Sequence, residues 1–388
     1  MYQRTSNVSG SCRRRHFRRG NTIVFVAVSV TALLGLVALS VDVGRIYVAK
    51  AELQRSADAA AHAGAWVLLN EDRLHQDLQD GVFEAARDEA VNRAAANDVL
   101  RAAPIVHPLE DVIIGRWDDF SNGGEDMSFE DPDSWNAVKV SVQRNAARGG
   151  SIILYFARVL GFTQKDLSAQ ATAAFDDGIR GFEVTERTGN AELLPFAVKN
   201  DSWSDLMSSP VDLYTYDPDT GTVSPGPDGI PELNMYPGGG CWQLPPGNFG
   251  TVDIGSPDNG ASDIARQILE GISQQDLSYL GGSLEIGDEG YVDLNGDTGI
   301  SAGVKDELEA IKGRARAIPI FSEAWDPGDN GTFRVVGFGG IRVMHVRLTG
   351  AEQRKQLIVQ PAHVVDDAAM GGGSGSSYFV YRPVQFVQ

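Results

Sequence analysis

Asp293-Leu-Asn295-Gly-Asp297 sets side-chain oxygens at alternate positions, the opening of a loop that wraps calcium. The sixth position is Thr298, where such a loop turns on glycine, and the twelfth is Val304, where a bidentate acid belongs. Gly299 to Gly303 ahead of a helical stretch reads more simply as a turn and cap. Calcium at Asp293, Asn295 and Asp297 is thus the only cofactor expectation the chain offers. Asp217, Asp219 and Asp228 form a second oxygen-rich group, and aspartate in a Pro/Gly-rich segment is first of all a turn former. The histidines, His16, His62, His75, His107, His345 and His363, show no His-Glu-x-x-His and no pair at ligand spacing. A Gly-x-Ser-x-Gly elbow is missing because Gly373-Ser374-Gly375 continues as Ser376, and the glycine runs at Gly238 and Gly371 do not link a strand to a helix. No catalytic residue is expected, and no enzyme.

The informative chemistry lies in what positions the chain. Five arginines (Arg13, Arg14, Arg15, Arg18, Arg19) precede the run Ile23 to Val41, nineteen residues without charge, Pro, Asn or Gln. At roughly 1.5 Å per residue it spans about 30 Å, the thickness of a hydrocarbon core. Twelve positions are Val, Leu, Ile or Phe, giving roughly −4 to −7 kcal/mol for insertion. The run has no polar face, so it reads as a transmembrane helix over residues 21–42 with a basic cytoplasmic tail, 1–20. A cleaved signal peptide is the competitor, since Arg14-Arg15-His16-Phe17 looks like a twin-arginine signal and Ala38-Leu39-Ser40 like a cleavage site. The length of the run and the helical sequence that continues through the cut favour a retained anchor.

The net charge of −19 understates the remainder, which beyond the first twenty residues holds 27 basic against 52 acidic groups, or −25. That surface repels phosphate backbones, so no nucleic-acid partner is expected. Cys12 and Cys241 fall on opposite sides of the expected membrane and should not pair.

From Asp42 the helical period continues to about Asn70 with a stripe of small side chains: Ala57, Ala61 and Ala65 in one row, Ala60 and Gly64 in the next. A neighbour can approach such a face closely. Asp42 and Arg45, about one turn apart, are spaced for an ion pair or for interfacial solvation. A second helix, packed on the first, is expected over 72–100, strands over 111–116, 137–142 and 167–175, and a short buried helix over 151–160. Residues 201–259 read as turn-rich chain, 263–270 and 303–312 as helices, and 193–198, 317–321, 332–338, 341–348, 356–362 and 378–386 as strands, with a flexible loop over 371–377.

The block RRGNTIVFVAVSVTALLGLVALSVDVGRIYVAKAELQRSADAAAHAGA, residues 18–65, resembles the N-terminal domain of TadG-like Flp pilus-assembly proteins, with its anchor, Val-Asp-Val-Gly-Arg turn and Ala-Asp-Ala-Ala-Ala ending. Asn136 to Val140 and Ala169 to Ala173 are similar to segments that follow that domain. The resemblance implies a bitopic inner-membrane protein of a Tad pilus or related secretion system, with its bulk periplasmic and no catalytic role. Prepilin cleavage is not expected: Gly20 is well placed, but the fifth residue after it is Phe25, and no glutamate precedes Glu52. The Asp-x-Ser-x-Ser metal motif of the adhesive members is not met by Asp201-Ser202-Trp203-Ser204-Asp205.

The expected fold class is α+β: a transmembrane helix continuing as a long amphipathic helix, a Tad-like helical and α+β region over 43–177, and a β-rich exported domain over 178–388 with an insertion near 201–259. The residues expected to anchor and pack are Arg18, Arg19, Asp42, Arg45, Ala57, Ala61 and Gly64. Expected partners are the lipid bilayer and other Tad pilus-assembly proteins, with homo-oligomerisation left open. The rival is an exported calcium- or ligand-binding module that uses the Tad-like helix only as anchor or export signal.

Overall fold

A computed structural model describes residues 21–75, 78–120, 127–236, 248–255, 260–325, 331–351, 354–372 and 377–387. The arginine cluster, with Arg18 and Arg19, and both cysteines lie outside the described residues. The fold class is α+β, with 32% helix and 33% strand among the described residues.

The first helix, α1, runs unbroken from Asn21 to Val67, 47 residues, so at about 1.5 Å per residue it is roughly 70 Å long. No proline interrupts it. Its apolar start, Ile23 to Val41, is exposed on all sides apart from half-buried Ala38. Such a surface is stable only in lipid or under a partner. From Ala49 onward one face is buried: Ala49, Leu53, Ala57, Ala60, Ala61, Ala65 and Leu68.

The chain divides into two compact units. The first comprises residues up to Ala51 together with Arg144–Leu167. Within it Ile152–Ile153 and Gln164–Lys165 pair antiparallel, and a short 3-10 turn, Ala157–Leu160, fills the loop between them. Gly161 ends that turn at φ +91°, a conformation glycine adopts without strain. The expected short buried helix over 151–160 is therefore corrected to a hairpin with an exposed apolar tip. The run SIILYFARVL alternates inward Ile152, Leu154 and Ala157 with outward Ile153, Tyr155 and Phe156, a pattern that composition alone cannot separate from a core helix.

The second unit comprises Glu52–Gln143 and Ser168–Gln388. A second helix, α2, spans Gln79–Ala95 and is preceded by a 3-10 turn over Glu71–Leu74, so the expected 72–100 helix is shorter and divided. α2 buries Val82, Phe83, Ala86, Ala90 and Ala94. A four-stranded sheet takes Val112–Gly115, Ala137–Arg144, Leu167–Ala174 and the C-terminal Gln385–Phe386 in that order. An eight-stranded sheet is built around the 17-residue strand Gly331–Arg347, which pairs antiparallel with Ala315–Trp325 on one side and Gln356–Pro361 on the other. Its core includes Phe321 edge-on to Phe333 and Phe338 edge-on to Phe182, each pair with centroids 5.0 Å apart.

The expected break between 338 and 341 is absent: Gly339 and Gly340 continue one strand. A Cβ on Gly339 would lie 2.5 Å from the Trp203 ring, so glycine here makes room for an indole rather than a turn. The described residues of 201–259 hold more regular structure than expected: the helix Asn200–Met207, the hairpin Tyr214–Asp217 with Thr222–Pro225, and the strand Phe249–Val252. The expected strand 378–386 is instead short pieces at Ser377–Tyr378, Val380–Tyr381 and Gln385–Phe386, and a helix at Gln274–Ser278, with its Ser273/Asp276 capping box, was not expected.

Candidate functional site

Asp42 is the first charged residue after the apolar run and is 2% exposed. Its carboxylate accepts three backbone N–H bonds from the hairpin: Tyr155 at 2.8 Å, Phe156 at 2.8 Å and Ala157 at 2.6 Å. The 3-10 turn leaves these N–H groups without partners inside the turn, so a buried anion collects them. Arg45, one turn on, lies over the Tyr155 ring at 5.0 Å. The two residues expected to pair or to be solvated thus hold the hairpin on the helix at the end of the apolar run. The sequence marked Asp42 and Arg45, but it offered no sign of a partner more than a hundred residues away.

The small-residue face is occupied from within the second unit. A Cβ on Gly64 would meet the Ala86 carbonyl oxygen and Val138 Cγ1 at 3.1 Å and Ala90 Cβ at 3.3 Å, while Ala57 and Ala61 are fully buried. Ser56 Oγ donates to the Ala94 carbonyl at 3.1 Å. These residues let α1 and α2 lie close together, so the stripe serves the chain's own packing.

Asp293, Asn295 and Asp297 lie on the strand Val292–Thr298, not in a loop. Arg334 forks Asp293 at 3.0 and 3.1 Å, and Asn295 Nδ2 donates to Asp253 at 3.0 Å. Among the described residues there is no group of three or more His, Cys, Asp or Glu side chains able to hold a metal. Asp217 accepts from the Asp219 and Thr220 backbones at the tip of the 214–225 hairpin, and Asp228 accepts from the Tyr216 and Ile230 N–H groups. Both carboxylates shape turns.

Sequence reasoning missed a polar cluster in the second unit. Glu71 accepts two bonds from Arg342 Nη2, at 2.8 and 2.9 Å, and one from the His363 backbone at 3.1 Å. His363 Nδ1 lies 2.9 Å from the Leu69 carbonyl, and burial pushes its ring down to about 4. Arg342 stacks over Tyr216 at 3.5 Å. The partners are separated by up to 294 residues, and nothing in their local patterns announces the contact. Glu232 is fully buried and accepts from the Leu213 and Tyr214 N–H groups at 2.9 Å. Burial raises its carboxyl to about 7, with Asp212 and Asp228 adding to the rise.

Residues 20–67 match the Tad family, described as Flp pilus-assembly TadE/G-like, and residues 63–173 match the Tad_C family, described as Tad-like Flp pilus-assembly. The likeness read from residues 18–65 is borne out and extends to residue 173, over α1, α2 and the first sheet's strands from 112 to 173. These families support a role related to pilus assembly and point to a structural rather than a catalytic part. No curated relative and no solved structure matches the chain.

Proposed function

We propose, for a chain whose residues 20–173 match Tad-type pilus-assembly families, that it is a single-pass membrane protein whose bulk stands on the far side of the cytoplasmic membrane and works through protein contacts. The observation that carries this reading is the continuity of α1. The same helix that exposes Ile23 to Val41 on every side is buried along one face from Ala49 onward. An apolar helix serving as part of a soluble core would be covered instead. The arginines before the run set the orientation, N-terminus inside. The partners are other Tad pilus-assembly proteins.

The test is made on native membranes. Carbonate-washed vesicles should retain the chain, protease added outside spheroplasts should digest the part beyond residue 42, and crosslinking should capture Tad components. A chain that washes off with carbonate, or one whose crosslinks never include a pilus-assembly protein, defeats the reading.

A further inference from the structure

The hairpin on Asp42 presents apolar side chains to the outside: Val159 is 90% exposed, Leu160 69% and Phe162 65%, with Ile153, Tyr155 and Phe156 about half exposed. Soluble surfaces rarely gather so many large apolar groups in one short loop. Its place relative to the apolar run identifies what covers it. Asp42 follows Val41 directly, and its carboxylate holds the Ala157 N–H at 2.6 Å. A 3-10 turn rises about 2 Å per residue, so Leu160 sits roughly 6 Å from Ala157. The headgroup layer beyond the hydrocarbon edge is itself about 5–7 Å thick on each side. The tip is therefore level with that layer wherever residues 23–41 span a bilayer.

The composition fits the same surroundings. Tyr and Phe favour the interfacial layer, where a ring can lie in the acyl region with its edge near water. The segment 144–167 carries Arg144, Arg148, Arg158 and Lys165 against the single acid Asp166, although the chain beyond residue 20 is strongly acidic. Basic groups beside an apolar tip suit an anionic lipid surface, with long side chains reaching the phosphates.

The geometry points to the hairpin 152–165 as a second membrane contact: its tip, Tyr155 to Phe162, lies in the interfacial layer of the leaflet where α1 emerges, held at that depth by the Asp42 carboxylate. The inference rests on the membrane-spanning reading of α1. It adds that the chain grips the leaflet at two points, a vertical helix and a shallow loop, which limits rotation and tilt of whatever α1 carries.

The experiment uses the full chain in vesicles of phosphatidylcholine and phosphatidylglycerol, with Cys12 and Cys241 replaced by serine. A polarity-sensitive fluorophore is attached at Leu160→Cys, at Leu33→Cys as a deep reference, and at Asp219→Cys as a water reference. The expected result is a blue-shifted probe at 160, shielded from iodide and quenched more by a shallow lipid nitroxide than by a deep one. Asp42→Ala should restore iodide quenching at 160 without changing the probe at 33. A water-like probe at 160 beside a lipid-buried probe at 33 overturns the hairpin proposal alone. A dry probe at 160 that no lipid nitroxide quenches means protein covers the tip, and also overturns it. Water-like probes at both 160 and 33 overturn the spanning reading as well.

Discussion

Asp42 does at one position what a short hairpin cannot do for itself, since its 3-10 turn cannot satisfy its first N–H groups and a two-residue ladder is too short to be stable alone. Bonds to a buried anion are the stronger kind. Replacing Asp42 with Ala should cost the hairpin about 2 kcal/mol, or roughly thirtyfold faster hydrogen exchange at the Tyr155, Phe156 and Ala157 amides. Unchanged exchange there would remove Asp42 from its role. A second prediction concerns buried ionisable groups with opposed effects. Glu232 is raised from 4.5 to about 7 and Asp366 from 3.8 to about 6, chiefly by burial, so the folded state holds their protons longer than the unfolded state. Their contribution is complete at low pH and is lost as pH rises through those values. His363 is lowered from 6.5 to about 4, so its contribution is present above 6.5 and lost as pH falls towards 4. Where the windows overlap, the acids outweigh the histidine, and stability should decline from about pH 5 to 7. Glu232→Gln should flatten that decline, with a difference of up to about 3 kcal/mol between the two ends. Chemical melts of both proteins across that range provide the check, and parallel curves would refute it. None of these environments could be read from the sequence: the three carboxyls and the ring look like any others until the fold removes their water.

Elements formed by a strong local period were legible. The apolar run followed from its unbroken length, and the Ala-rich continuation of α1, the strands at 112–115, 137–144 and 167–174, and the helix at 261–270 followed from local pattern. Misreadings came where a residue answers to a distant neighbour. Gly339 and Gly340 looked like punctuation, yet Trp203 on a remote helix requires the missing Cβ. The apolar residues of 151–160 looked like core, yet Ile153, Tyr155, Phe156, Val159 and Leu160 face outward. The small-residue stripe was recognised and so was α2 as its neighbour, whereas Val138 of the first sheet, which also meets that face, was not. That identity changes what a substitution does. Gly64→Ala should cost about 1–3 kcal/mol through overpacking, because all three nearest contacts are already at 3.1–3.3 Å and one is backbone. Gly64→Leu should unfold the second unit while carbonate extraction still leaves the chain in the membrane, because the proposed anchor, residues 23–41, is untouched by the substitution. A Gly64→Leu protein that melts like the parent would mean α2 does not pack there.

Over the whole molecule, sequence and structure differ most in how they treat charge. The surplus of acids beyond residue 20 argued against nucleic acid, and Asp293-Leu-Asn295-Gly-Asp297 offered a place for calcium. On a strand, side chains two residues apart on one face stand about 6.6 Å from each other, and those four apart about 13 Å. Calcium ligands lie about 2.4 Å from the ion, so oxygens sharing one ion are within about 5 Å of each other. Asp293 is also committed to Arg334, whose guanidinium stacks over Tyr291 at 3.9 Å and Trp325 at 5.0 Å. A calcium ion at Asp293 would have to displace that fork. The acidic surplus still matters through self-repulsion, which any salt relieves. Thermal melting should therefore rise with ionic strength and show the same shift for calcium and magnesium at matched concentration, with no further drop when chelator is added. A specific calcium site filled to a hundred times its dissociation constant would add about 2.7 kcal/mol over magnesium. A shift of that size, lost on Asp297→Asn and restored in the parent, would revive the rival reading of an exported calcium module. Equal curves leave the acids as a solvating surface, which keeps the folded part in water.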